Sequence, residues 1–285
     1  MKNIYNNLKT LTVGLAGLLM VIAGCSPESS DVEIGPVPEA SFIIEIDNSN
    51  VNTFTLTSTT EGAFLHLWDI GNGYVEGNAI NSAYFPDKGE YEIRLIALSS
   101  GGVDTSNVQT VVVETSDPVA GNLINGGKME AGDEQYWNTF VIGGGVNFAI
   151  ADGAMVGTGG NWGHAGFYQA VEVVANKTYR FSATISGSGA SDTWYEVYFG
   201  SDQPTDGQDY TSGGIQIGLN TWTGCGNSEF SGSVLDIGCV GALMGTDGTV
   251  MFDTSGTIYF VVKSGGAYLG DTGLAMDNIE LRGTR

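Results

Sequence analysis

Thr193-Trp194-Tyr195-Glu196-Val197-Tyr198-Phe199-Gly200 carries large side chains on both of its alternating sets. Successive residues of a strand point to opposite faces, so Tyr195, Val197 and Phe199 share one face and Trp194, Glu196 and Tyr198 the other. The first set suits a core. The second places two aromatic rings around a carboxylate on the opposite, concave face, where exposed rings signal a partner. The same period of two recurs at Tyr179, Phe181, Ala183 and Ile185, at Ile215, Ile217 and Leu219, and at Ile258, Phe260 and Val262. No stretch sustains a helical apolar period over about twelve residues, so residues 120–285 are expected to form an all-β jelly roll with glycine-rich loops.

Upstream, Phe42, Ile44 and Ile46, then Phe54 and Leu56, then Phe64, Leu65 and Leu67, then Tyr91, Ile93, Leu95 and Ala97, then Val111 and Val113 mark short strands over residues 40–116. They predict a separate antiparallel sandwich. Asn72-Gly73 between apolar flanks is a hairpin signal, and Asp117-Pro118 breaks the pattern as a domain boundary. Residues 25–39, with Glu28, Asp31, Glu33 and three prolines, read as an acidic tether.

The chain opens with Lys2 and Lys9, an apolar run from Leu11 to Ala23, and Gly24-Cys25. A charged start, a short apolar stretch and small residues describe a secretory leader over residues 1–24. Thirteen residues reach roughly 20 Å as a helix, short of the ~30 Å of a bilayer core. Ile22-Ala23-Gly24-Cys25 resembles the bacterial lipobox, which implies lipidation at Cys25. The acidic residues after it resemble the signal that sends Bacteroidota lipoproteins to the exterior face of the outer membrane. Export to an oxidising compartment then leaves Cys225 and Cys239 as an even pair, expected to be a disulfide.

The formal charge of −22 becomes −24 when the two leader lysines are lost. That balance excludes a nucleic-acid partner, for want of a basic stripe to neutralise phosphates, and disfavours anionic lipid. It leaves neutral or cationic ligands. Phosphate-loop, serine-elbow and zinc-protease motifs are absent from the sequence.

Trp68-Asp69-Ile70-Gly71-Asn72-Gly73, with Tyr84, Gly89-Glu90-Tyr91 and Gly101-Gly102, resembles the polycystic-kidney-disease (PKD) domain, an immunoglobulin-like sandwich. The resemblance implies a core tryptophan and a spacer role. Asn122-Leu123-Ile124-Asn125-Gly126-Gly127-Lys128-Met129-Glu130 with Trp137, then Phe167–Val171 and Lys177–Phe181, then Met276-Asp277-Asn278-Ile279-Glu280-Leu281, resemble carbohydrate-binding module families 4 and 22. That likeness implies a structural Ca²⁺ shared by Glu130 and Asp277 and a core Trp137.

For a sugar site, tryptophan and tyrosine offer flat apolar faces to the ring, and polar side chains meet its hydroxyls. Trp162, Trp194, Glu196, Tyr198, Gln216 and Trp222 are the candidates. Trp162 is read in a glycine loop from Gly159 to His164, Trp222 in a loop beside Cys225, and His164 as a loop hydrogen-bonder. The expectation is a non-catalytic lipoprotein of a polysaccharide-utilisation system, holding a neutral β-glucan such as laminarin for an importer. An adhesion or structural protein without sugar binding is the alternative, and a glycoside-active enzyme a more distant one.

Overall fold

The computed structural model describes residues 35–284. The leader, Cys25 and most of the acidic tether lie outside the described residues. The chain is all-β, a β-sandwich protein as expected. Its first strands are β1 (Phe42–Ile46), β2 (Thr53–Ser58), β3 (Leu65–Asp69), β4 (Tyr74–Gly77), β5 (Ile80–Tyr84), β6 (Gly89–Ser99), β7 (Gly102–Thr105) and β8 (Gln109–Val113). They form a three-stranded sheet in the order β1-β2-β5 and a five-stranded one in the order β4-β3-β6-β7, with β8 also on β6. Trp68 is buried and its indole N–H donates to the Asn78 carbonyl at 3.0 Å. The alternation on β3 runs opposite to that expected from Leu65 and Leu67: His66 and Trp68 face inward, the tryptophan as the resemblance implied, and Phe64 is exposed. The larger indole takes the interior, and the period of two carries its neighbours with it. Ile46 is likewise exposed at the end of β1.

The second set comprises β9 (Asn138–Gly143), β10 (Val146–Ala151), β11 (Ala154–Val173), β12 (Thr178–Gly187), β13 (Ser191–Gly200), β14 (Ile215–Asn220), β15 (Phe230–Ser233), β16 (Thr249–Met251), β17 (Gly256–Tyr268) and β18 (Leu274–Gly283). One layer runs β14-β13-β17-β11-β9 and the other β10-β11-β18-β12, with β15 and β16 beside β12. The twenty-residue β11 serves both layers. It changes layer at an irregularity between Gly160 and Gly163, where Asn161 and Trp162 both take left-handed backbone angles. Between the layers lies one core, containing every alternating apolar residue expected from Tyr179 to Ile185 and from Ile258 to Val262, with Trp137 and Met129.

By compactness the described chain divides into two units. One gathers residues 35–43, 57–79 and 94–107; the other holds 44–56, 80–93 and 108–284. The division does not fall at Asp117. That residue is buried within the larger unit, where its carboxylate accepts from the Tyr84 hydroxyl at 2.6 Å and from the Val119 N–H at 2.7 Å.

Tyr195 is fully buried in the core, and its hydroxyl has no hydrogen-bond partner among the described residues. Burial pushes its phenol well above the usual range. A buried hydroxyl without a partner costs about 1–3 kcal/mol. Tyr195→Phe is therefore expected to raise stability by about 1 kcal/mol in urea unfolding; a loss of stability would show that the hydroxyl is satisfied.

Candidate functional site

Strand register arranges the outward face of the β14-β13-β17-β11-β9 layer in rows. Trp194 pairs with Asn220 on one side and Gly265 on the other; Gly265 pairs with His164, and His164 with Gly143. The first row therefore reads Asn220, Trp194, Gly265, His164, Gly143. The second contains Gly218, Glu196, Lys263, Gly166 and Phe140. Tyr198, Val261 and Tyr168 belong to the third.

In the first row, rings alternate with glycines. A Cβ on Gly265 would lie 2.5 Å from the His164 Cβ and 2.7 Å from the Trp194 ring. Only a residue without a side chain lets the two rings meet across β17. They do so edge-to-face, with centroids 5.9 Å apart. Trp222 stacks on Trp194 with centroids 6.4 Å apart and planes within 28°.

Trp222 sits in a single 3-10 turn, Thr221–Thr223. The Asn220 side chain accepts from the Trp222 N–H at 3.0 Å, and the Thr223 hydroxyl donates to the Asn220 carbonyl at 2.9 Å. The turn closes on Gly224 in a left-handed conformation, beside the Cys225–Cys239 disulfide, which forms as expected. Trp222 is 55% exposed although its backbone is held at both ends.

Trp162 is 65% exposed. It belongs to β11 and not to a loop, two residues from His164, and its φ of 61° is uncommon for a bulky side chain. Such strain persists only where the surroundings enforce it, and it gathers at binding sites.

The structure does not display Glu196 and Tyr198. They are 9% and 3% exposed. Residues 201–214, between β13 and β14, fold back over the second and third rows, and Tyr210 enters a cluster with Phe140, Tyr168, Tyr198 and Val261. The Tyr198 hydroxyl donates to Glu196 Oε2 at 2.6 Å, and Lys263 Nζ lies 3.7 Å from the same oxygen. Lys263 donates to Asp209 of the returning segment at 2.6 Å and stands 5.2 Å from the Tyr198 ring centroid. Burial, then the bond to Glu196, raises the Tyr198 phenol far above its usual range; burial pushes Tyr210 up to about 12. Neither tyrosine ionises near neutral pH. Gln216 is turned to local work, donating to the carbonyls of Gly213 and Gly214.

The residues brought together are thus Trp194, Trp222 and His164; Trp162 is two residues from His164 along β11, within the irregularity, and makes no ring contact with them. Sequence reading took His164 for a loop hydrogen-bonder, whereas it lies within β11, and passed over Gly265. The signal was the alternation His164, Gly166, Tyr168, which puts the imidazole on the Tyr168 face.

Glu130 and Asp277 act on each other electrically. Burial raises the Asp277 carboxyl, the Asn278 N–H bond opposes this, the Glu130 charge adds to the rise, and Lys128 lowers it. A cation between the two would relieve their repulsion, so the pair fits Ca²⁺ in sign and donor type. Among the described residues, no group of three or more His, Cys, Asp or Glu gathers to hold a metal, so further oxygens would come from the backbone.

No family model matches the chain. No curated protein matches it. Solved structures resemble it at low identity. One, described as the structural basis for promiscuous specificity of carbohydrate-binding modules of the β-sandwich superfamily, is 15% identical over 87% of this chain and 99% of its own, with a TM-score of 0.28. A bacteriophage CBA120 tailspike enzymatic domain is 12% identical over 57% of this chain and 21% of its own, with a TM-score of 0.37. A family 4 carbohydrate-binding module is 15% identical over 56% of this chain and 99% of its own, with a TM-score of 0.33.

Proposed function

We propose that the first row and its flanking tryptophans bind carbohydrate without catalysis. The observation that carries this reading is Trp222 stacked on Trp194, opposite His164, half exposed on a turn fixed by Asn220 and the disulfide. Rigid aromatic faces suit the C–H surface of a sugar ring, and the polar edges of Asn220 and His164 suit its hydroxyls. Supporting a non-catalytic role, Glu196, the carboxylate next in register to Trp194, is buried and already bonded to Tyr198. It does not face the strip as one of the two carboxylates that glycoside hydrolysis needs.

The ligand proposed is a neutral β-glucan, with laminarin first, because a strongly acidic protein repels uronates and sulfated chains. Stacking and hydroxyl bonds of about 1 kcal/mol each correspond to micromolar to millimolar affinity. In this reading Cys25 carries the lipid at the exterior of the outer membrane, the PKD-like region acts as spacer, and captured glycan passes to an importer. Native gels cast with laminarin, mixed-linkage glucan, xylan and alginate test the class. Retardation by laminarin is expected. Retardation by alginate alone rejects the neutral-glucan choice, and retardation by none favours adhesion.

Calcium at Glu130 and Asp277 belongs to the same proposal, as a tie between the two ends of the jelly roll. A raised carboxyl pKa gives the calcium-free protein stability that is present at low pH and lost as pH rises through the Asp277 value. Calcium is expected to offset that loss. At about tenfold its Kd it adds about 1.4 kcal/mol at pH 7, or a few degrees in Tm. The increment fades as pH falls through the Asp277 range and is absent in Asp277→Asn. An unchanged melt with chelator at pH 7 rejects the site.

A further inference from the structure

Residues 201–214 leave the sheet at Gly200 and return at Ile215, covering the face on which a chain running along the strands would lie. Their attachment is extensive. Asp206 accepts from the Val141 N–H at 2.9 Å, and the Gly207 N–H donates to the Val141 carbonyl at 2.8 Å. Gln203 donates to the Tyr168 hydroxyl at 3.1 Å, and Asp209 holds the buried Lys263. Tyr210 packs edge-on against Tyr198, with centroids 5.6 Å apart, and its hydroxyl donates to the Asp202 carbonyl.

We infer that residues 201–214 are a built-in cap that sets the length and direction of the bound glycan. This rests on the carbohydrate reading above and adds the class of ligand: a short stretch of chain crossing the strands at one end of the sheet. The second and third rows are occupied by the protein's own Tyr210, so contact is confined to the first row and its flanking tryptophans. That row spans five strands, or four gaps of ~4.8 Å, roughly 19 Å. A pyranose repeat is close to one strand spacing, so about four sugar rings fill the row. Further rings extend beyond it and touch nothing.

The test is calorimetric titration of the whole protein with β-1,3-gluco-oligosaccharides from disaccharide to octasaccharide. Affinity is expected to rise to about the tetrasaccharide and then stay level within about twofold. In Asp209→Ala with Tyr210→Gly, which frees the cap while leaving Trp194, Trp222 and His164 in place, affinity is expected to keep rising with length. A native protein whose affinity climbs steadily to the octasaccharide overturns the cap but leaves the carbohydrate reading intact. No binding at any length overturns the cap together with the β-1,3-glucan choice, and retardation by none of the four gel polysaccharides overturns the carbohydrate reading itself. Should the double variant fail to melt cooperatively, the plateau of the native protein decides alone.

Discussion

A protein with alanine at both Trp194 and Trp222 is expected to lose laminarin retention on native gels while melting almost as before. Each ring supplies about 1 kcal/mol of stacking on a sugar, so the pair is worth about 2 kcal/mol, roughly thirtyfold in Kd. The single variants should not add. Trp222 lies on Trp194, so removing the lower ring also deprives the upper one of its support. Contacting side chains couple by about 0.5–3 kcal/mol. Trp194→Ala should thus weaken binding nearly as much as the double change, and Trp222→Ala less. Neither ring belongs to the buried core, so unfolding should shift by no more than about 1 kcal/mol. A double variant that binds as tightly as the native protein would remove the site proposed here; one that unfolds would show the rings to be structural.

The inward faces of the jelly roll were legible because strand burial has a period of two that needs no knowledge of partners. Tyr195, Val197 and Phe199 are core, as their spacing dictated. The outward face followed another rule. Trp194 was readable, but Glu196 and Tyr198 are covered by residues 201–214, which have no periodicity and little in their Ser-Asp-Gly composition to indicate a return over the sheet. Only Tyr210 marks it, and one tyrosine in a polar stretch does not reveal which face it will cover. His164 was read as a loop residue because five of the ten residues from Gly157 to Gly166 are glycine. Those glycines permit the change of layer and the close ring contacts within a continuous strand, and composition alone does not distinguish that from a loop. On β3 the inward set was chosen by Leu65 and Leu67, whereas Trp68 decided it.

Breaking Cys225–Cys239 should act on stability and on binding by separate routes. The bond closes a loop between residues fourteen apart in sequence, and cross-linking a loop of about 15 residues removes about 3 kcal/mol of freedom from the unfolded chain. For a protein of this size that is a fall in Tm of roughly 6–12 °C. Within the fold, the Cys239 N–H donates to the Gly218 carbonyl at 2.9 Å, and Val240 bridges to Gly218 beside it. Cys225 follows the Trp222 turn directly, so the bond fastens that turn to the edge of β14. Once it is gone, the bonds of Asn220 and Thr223, the two bonds between Thr221 and Thr193 and the contact with Trp194 still restrain Trp222, but the turn loses its tie to the β14 edge and the ligand must supply part of the ring's ordering. Ordering one such side chain costs about 0.5–1.5 kcal/mol. Cys225→Ala with Cys239→Ala, measured well below its melting point, is therefore expected to bind laminarin several-fold more weakly although every stacking ring is present. Restoring Trp222→Ala comparisons in that background separates the two routes: if the turn is already loose, removing the ring costs less than it does in the disulfide-bonded protein. An equal cost in both backgrounds would show that the disulfide stabilises the fold without presenting the tryptophan.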